Sequence, residues 1–260
     1  MPDWANDPAD ETHLRLYVPD EGWKRYADKL NDEDGKVEAF GAKRLVESAF
    51  LNALNATNLL VLTGSGSSLA AKNAAERPQP VGMGDLWAAV KAQVGDDAFD
   101  AICAMFPNAP VNENIEKLLT LCKLFLELNQ TSDGPEATAV SKFVKDAEEA
   151  ILTKVDFVDA ATTLDAHATV IQRIGRRGIR KPRARFFTTN YDLCFEEAAR
   201  RHRFTIIDGF SHALDQTYDR GNFDFDIVRR EQGKDAPDYI ENVFHLYKLH
   251  GSVDWRRIDG

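Results

Sequence analysis

The sequence predicts an α/β fold: a Rossmann-like doubly wound parallel sheet with a helical insertion subdomain. Three observations predict it. A short apolar run, NLLVL at 58–62, is bounded by turn formers and reads as a strand covered on both faces, as in a parallel sheet. Strand, helix and strand patterns then alternate from residue 184 onward. Three of the strands end in polar, turn-forming stretches, VLTGSGSS, FFTTNYD and YKLHGSVDW. Open α/β sheets bind ligands at such carboxyl ends.

In chain order, residues 1–34 are polar and carry Pro2, Pro8 and Pro19. They read as an acidic N-terminal arm with local order around Trp23 and Tyr26, and residues 35–260 as the Rossmann domain. Val37, Phe40, Leu45, Val46, Ala49, Phe50, Ala53 and Leu54 space one apolar helical face over 36–56. Residues 73–84, with Pro78, Pro80, Gly82 and Gly84, read as a loop. From 85 to 178 the pattern is helical, too long for a simple crossover, and forms the insertion. Within it Asn112 is the expected N-cap of a helix bearing Ile115, Leu118, Leu119, Cys122 and Phe125. Two further helices are expected over 136–153 and 157–175. ARFFTTN (184–190) is a strand, YDLCFEEAARRH a helix, FTIIDGF a strand, NFDFDIVRR an alternating strand candidate, and NVFHLYKLHG (242–251) the last strand.

Composition narrows the function classes. The 260 residues are 43% hydrophobic and 28% charged, which is globular composition. No apolar run approaches the roughly 18 residues of a membrane span, and the acidic N-terminus is no secretory signal. Cys103, Cys122 and Cys194 form no CxxC pair, so a metal site and a disulfide framework lack support, and a cytoplasmic setting fits. The net charge of −10 argues against general nucleic-acid binding. The exception is RIGRRGIRKPRAR (173–185), with seven Arg/Lys and no acid. It reads as a solvated loop or partner contact. It precedes a strand, at the end away from the polar tips.

Each strand end admits an ordinary explanation. GSGSS, residues Gly64, Ser65, Gly66, Ser67 and Ser68, is either a phosphate-binding turn or a tight turn. It lacks the third glycine of a dehydrogenase fingerprint, and Asp85 closes no second strand, so hydride transfer is disfavoured. Asn190 and Asp192 could stabilise a turn and cap the next helix. His250 alone could be structural, like His245 in the same strand.

Together the three stretches resemble the sirtuin (Sir2) family, marked by a GAG-x-S loop, a TQN-x-D segment and a His-Gly. Gly64, Gly66 and Ser68 match the loop. Asn190 and Asp192 match the second motif, with Thr189 in place of its glutamine. His250 and Gly251 match the third. The sirtuin P-D-F-R segment and the four zinc cysteines are absent. TTNYDLCFE and KLHGSVDW resemble instead the SIR2-like NAD-hydrolysing domains of bacterial anti-phage defence systems.

This resemblance implies an NAD+ hydrolase that depletes NAD in abortive infection, with NAD as substrate and no zinc. A protein deacylase and a non-catalytic NAD or ADP-ribose scaffold are the alternatives. It implies catalytic roles for Asn190, which would orient water and a ribose hydroxyl, and for His250 as base. It implies NAD contacts from Gly64, Ser65, Gly66, Ser67, Ser68, Thr189 and Asp192, the last at the nicotinamide carboxamide or holding the pocket. Oligomers and partners such as HerA-type ATPases are also implied. Sirtuins hold the adenosine half of NAD on strands after the His-Gly. The sequence ends ten residues after His250, so a domain truncated at its C-terminal end, or completed by another chain, is expected.

Overall fold

The computed structural model describes residues 15–256, apart from 21, 32, 110, 130–133, 176, 179 and 234–237. The chain divides into two compact units, Met1–Leu59 and Leu60–Gly260. In the first, β1 (Arg15–Val18) and β2 (Gly22–Arg25) form an antiparallel hairpin that sets Tyr17 opposite Trp23, their rings edge-on at 5.2 Å. β3 (Lys29–Leu30) pairs antiparallel with β4 (Val37–Ala39), and α1 (Lys43–Asn55) follows. The helical pattern read over 36–56 therefore begins late, because residues 37–39 pair as a strand. Residues 1–14 of the expected arm lie outside the described residues.

The second unit opens with β5 (Leu60–Thr63). A helical run follows: the single turn α2 (Ser65–Ser68), then α3 (Met83–Val94), α4 (Asp96–Ala104), α5 (Ile115–Leu128), α6 (Pro135–Val155) and α7 (Asp165–Gly175). After it come β6 (Arg185–Thr188), α8 (Cys194–Arg201), β7 (Thr205–Ile207), the small antiparallel pair β8 (Val228–Arg229) and β9 (Asp238–Tyr239), and β10 (Val243–Lys248). The main sheet runs β5-β6-β10-β7 with every pairing parallel. This is the α/β Rossmann-like architecture that the strand pattern predicts.

Burial follows strand position. β10 sits between β6 and β7, and Val243 through Leu246 are all buried. On one face Phe186 meets Phe244 and Phe195 of α8, at ring separations of 5.0 and 5.4 Å. On the other, Phe187 stacks on Tyr247 at 4.5 Å, and Tyr247 on Phe223 at 4.0 Å. β5 departs from expectation. It is an edge strand of this sheet, and Leu60 and Leu62 are 62% and 75% exposed on the face shared with Phe187. An unbroken apolar run thus does not here mean two covered faces.

The insertion has its own core. Leu86, Val90, Ile115, Leu118, Cys122 and Val140 are buried, and Trp87, Phe99 and Phe143 contact edge-on in series at 4.8 and 5.8 Å. Asn114, not Asn112, caps α5. Its side chain accepts the Lys117 N–H at 2.9 Å, whereas Asn112 lies in the preceding turn at φ 48°. Residues 156–164 separate α6 from α7, where Thr163 bridges to Lys72, so the last helix expected in the insertion starts at Asp165 rather than 157. NFDFDIVRR is also not one strand. Arg220–Asp224 is a 3-10 turn capped by the Asp219 side chain, and only Val228–Arg229 pairs.

Candidate functional site

Register brings the three polar strand ends together. Thr188 of β6 is the Cα partner of Thr63 on one side and of Lys248 on the other. Each motif begins immediately beyond this row. The Thr189 N–H donates to the Thr63 carbonyl at 3.3 Å, and the Leu249 N–H to that of Thr188 at 2.8 Å, so the exits stay joined. Thr189, Asn190 and Asp192 therefore emerge between the serine turn and His250.

The glycines have different causes. Gly251 has φ +96°, left-handed backbone that favours glycine, so the turn itself accounts for it. Gly64 has φ −144° and ψ −166°, extended backbone open to any residue. A Cβ on Gly64 would meet only Thr189 Oγ1 at 3.5 Å, and one on Gly66 nothing within 4 Å. Neither a left-handed turn nor internal crowding requires these two glycines. They leave backbone accessible from outside, as close approach of a ligand needs.

Asn190 is seated on this turn. Its Nδ2 donates to the Gly64 carbonyl at 2.9 Å, to Ser67 Oγ at 3.1 Å and to Ser68 Oγ at 2.6 Å. A carbonyl oxygen accepts only, so the Gly64 contact fixes the amide with its NH2 toward the turn. The amide oxygen is the half of the side chain left for a ligand. Ser68 Oγ in turn donates to Asp192 Oδ2 at 2.5 Å, and Asp192 Oδ1 accepts the Cys194 N–H at 3.0 Å. Buried Asp192 thus both forms an Asx turn one residue ahead of Leu193, the N-cap of α8, and anchors a directional chain that begins at Asn190.

Lys248 holds the segment from behind. Its side chain is 4% exposed, and its ammonium donates to the carbonyls of Tyr191, at 3.3 Å, and Asp192, and to Glu196 Oε1 at 2.9 Å. Burial pushes the Glu196 carboxyl above the usual range, and the Lys248 charge opposes that push. The Val253 N–H donates to the same Tyr191 carbonyl at 3.0 Å, wrapping the chain after His250 around Tyr191.

Two cavities flank Tyr191. The smaller, about 90 Å³, is lined by Ser65, Ser68, Thr189, Asn190, Asp192 and Glu116 among others. The larger, about 630 Å³, is lined by His250, Gly251, Trp255, Arg256, Lys123 and Glu148 among others. Tyr191 and Val155 line both. The structure therefore places Asn190 and His250 at neighbouring strand ends but in adjoining cavities. Gly64, Gly66 and Ser67 lie in the turn beside the smaller one. Tyr191 OH donates to Glu116 Oε1 at 3.2 Å, and His250 Nδ1 lies 3.6 Å from that same oxygen. Burial first, then the Glu116 carboxylate, raises the Tyr191 phenol well above its ordinary range, so it stays protonated.

Glu116, Tyr191 and Lys248 carry no motif of their own. Glu116 comes from α5, distant in sequence, and only tertiary packing brings it here. Tyr191 sits inside TTNYD and was visible as a position, though not as a role. His245 lies on the sheet, buried against Tyr247 and Phe223, away from the strand tips. His167 of α7 is also buried, edge-on to Phe195 at 5.1 Å, and burial lowers its pKa. Burial raises the thiols of Cys103, Cys122 (to about 11) and Cys194, which makes the last two inert core residues. Among the described residues no group of three His, Cys, Asp or Glu is placed to hold a metal ion, and no helix is long and apolar enough to cross a membrane. The basic stretch lies at the other end of β6. There Arg183 grips Asp226 through Nε and Nη2 at 2.9–3.0 Å. Arg176 lies outside the described residues.

These features define a class: an α/β protein with polar residues gathered across three adjacent parallel strand tips. Residues 184–258 match the family model described as SIR2-like domain. The match covers the Asn190 and His250 strand ends, and the Gly64–Ser68 turn lies outside it. A search of curated proteins finds no match.

Proposed function

We propose that the chain is an NAD+ glycohydrolase, releasing nicotinamide and ADP-ribose, and that it serves anti-phage defence by depleting NAD. The observation that carries the chemistry is the seating of Asn190. Its NH2 is committed to the serine turn, which leaves a fixed, uncharged acceptor oxygen at the strand tip. In NAD cleavage the C1′–N bond breaks and its electron pair goes to the pyridinium nitrogen, so nicotinamide leaves neutral. Positive charge develops at C1′ as in glycoside hydrolysis. A neutral acceptor can orient a ribose hydroxyl or the attacking water without trapping that cation in an ion pair. Water oxygen bonds to C1′, and His250 or solvent takes its proton. The open backbone at Gly66 would receive the pyrophosphate. A cavity of about 630 Å³ suits a nucleotide-sized ligand. Defence context, oligomers and a HerA-type ATPase partner rest on the motif resemblance alone.

A second reading, NAD or ADP-ribose binding without turnover, draws on the separation of Asn190 and His250 into adjoining cavities. One experiment distinguishes the two. Incubation with NAD should yield equal nicotinamide and ADP-ribose, and Asn190→Ala and His250→Ala should each slow release by about 10²-fold or more. Intact NAD bound at saturation would favour the scaffold. Release at the unaltered rate by either folded variant would remove that residue from the mechanism.

A further inference from the structure

We infer that Glu116 is a positioning residue that holds the His250 imidazole through Nδ1, so that the helical insertion contributes directly to the catalytic centre. The inference rests on the NAD-cleaving reading and adds a residue that no motif contains.

Glu116 stands in the first turn of α5, the helix capped by Asn114. Among the described residues its carboxylate is the one acid that lines the Asn190 cavity and also comes within ion-pair distance of His250. The separation of 3.6 Å from Nδ1 is just beyond a direct hydrogen bond but within ion-pair range, so in the substrate-free protein the carboxylate already favours a proton on Nδ1. Tyr191 OH occupies the same carboxylate oxygen at 3.2 Å, which holds the acid in place between the two cavities.

The other charged groups lining the His250 cavity do not compete for this role. Lys123 and Glu148 pair with each other at 2.7 Å. Arg256 donates to the carbonyls of Val253 and Trp255. A carboxylate accepts only, so it selects the imidazole form carrying its proton on Nδ1. Nε2 is then left bare, as a proton acceptor toward substrate requires. Without Glu116 the ring loses both its orientation and this tautomer.

The test needs no NAD. Protein labelled with 15N-histidine is examined by NMR at a pH where imidazole is neutral, and His250 is assigned by loss of its signals in His250→Ala. The intact protein should show predominantly Nδ1–H nitrogen shifts, and Glu116→Ala should move the ring to the Nε2–H form. Tyr191→Phe, which frees the carboxylate oxygen for His250 alone, should retain the Nδ1–H form. The same tautomer in the intact protein and Glu116→Ala would overturn the inference. Should Glu116→Ala not fold, Glu116→Gln keeps the size and weakens the acceptor, and is expected to shift the ring the same way. In parallel, NAD cleavage by Glu116→Ala should fall roughly 10-fold or more with NAD affinity retained. An intact protein that cleaves no NAD would defeat the functional reading while leaving the tautomer result to judge Glu116.

Discussion

Gly66 has no structural reason to be glycine. Its φ is not left-handed, and a Cβ there would meet open space. An added side chain should therefore cost the fold little and the ligand much. Gly66→Val is expected to keep folding stability within about 1 kcal/mol, the scale of helix propensity, because α2 is one short turn. It should weaken NAD binding by more than 10-fold. Calorimetric titration beside a thermal melt checks both. Parallel loss of stability and affinity would show that the glycine serves the fold instead. Asn190 differs in kind, because its two amide hydrogens are shared among three acceptors in the turn, so its removal disturbs both site and structure. Asn190, Asp192, His250 and the glycines stood out as candidates in the sequence because each lies within four residues of a strand end. Glu116 did not. A glutamate at the start of an amphipathic helix looks like an ordinary first-turn acid.

At the scale of elements, the site depends on what ties the strand tips to α8. Lys248 does this for β10, joining two loop carbonyls and Glu196 while almost wholly buried. Removing one partner leaves the other charge uncompensated. Lys248→Met should destabilise the protein by about 3–5 kcal/mol, and adding Glu196→Gln should recover part of that loss. Denaturant unfolding of the single and double variants measures it, and an unchanged midpoint in Lys248→Met would show that the lysine is dispensable. Sequence pattern located β6, β7, β10 and α8 well, since period and turn signals there agree. It overstated NFDFDIVRR, where alternation of Phe and Asp mimics a strand but Asp219 caps a 3-10 turn. It also read β5 as covered on both faces, although pairing order, which a single apolar run cannot reveal, makes it an edge of this sheet.

Across the whole molecule, the proposed function requires three strand tips, far apart in sequence, to act as a single ligand site. Strand register sets them side by side through Thr63, Thr188 and Lys248, while the basic stretch around Arg180 and Arg183 lies at the opposite end of β6. Hydrogen exchange with a non-hydrolysable NAD analogue tests this most directly. The analogue should slow exchange together in residues 64–69, 189–193 and 249–253, and leave residues 180–183 unchanged. Protection confined to one of the three segments, or centred on the basic stretch, would contradict this requirement.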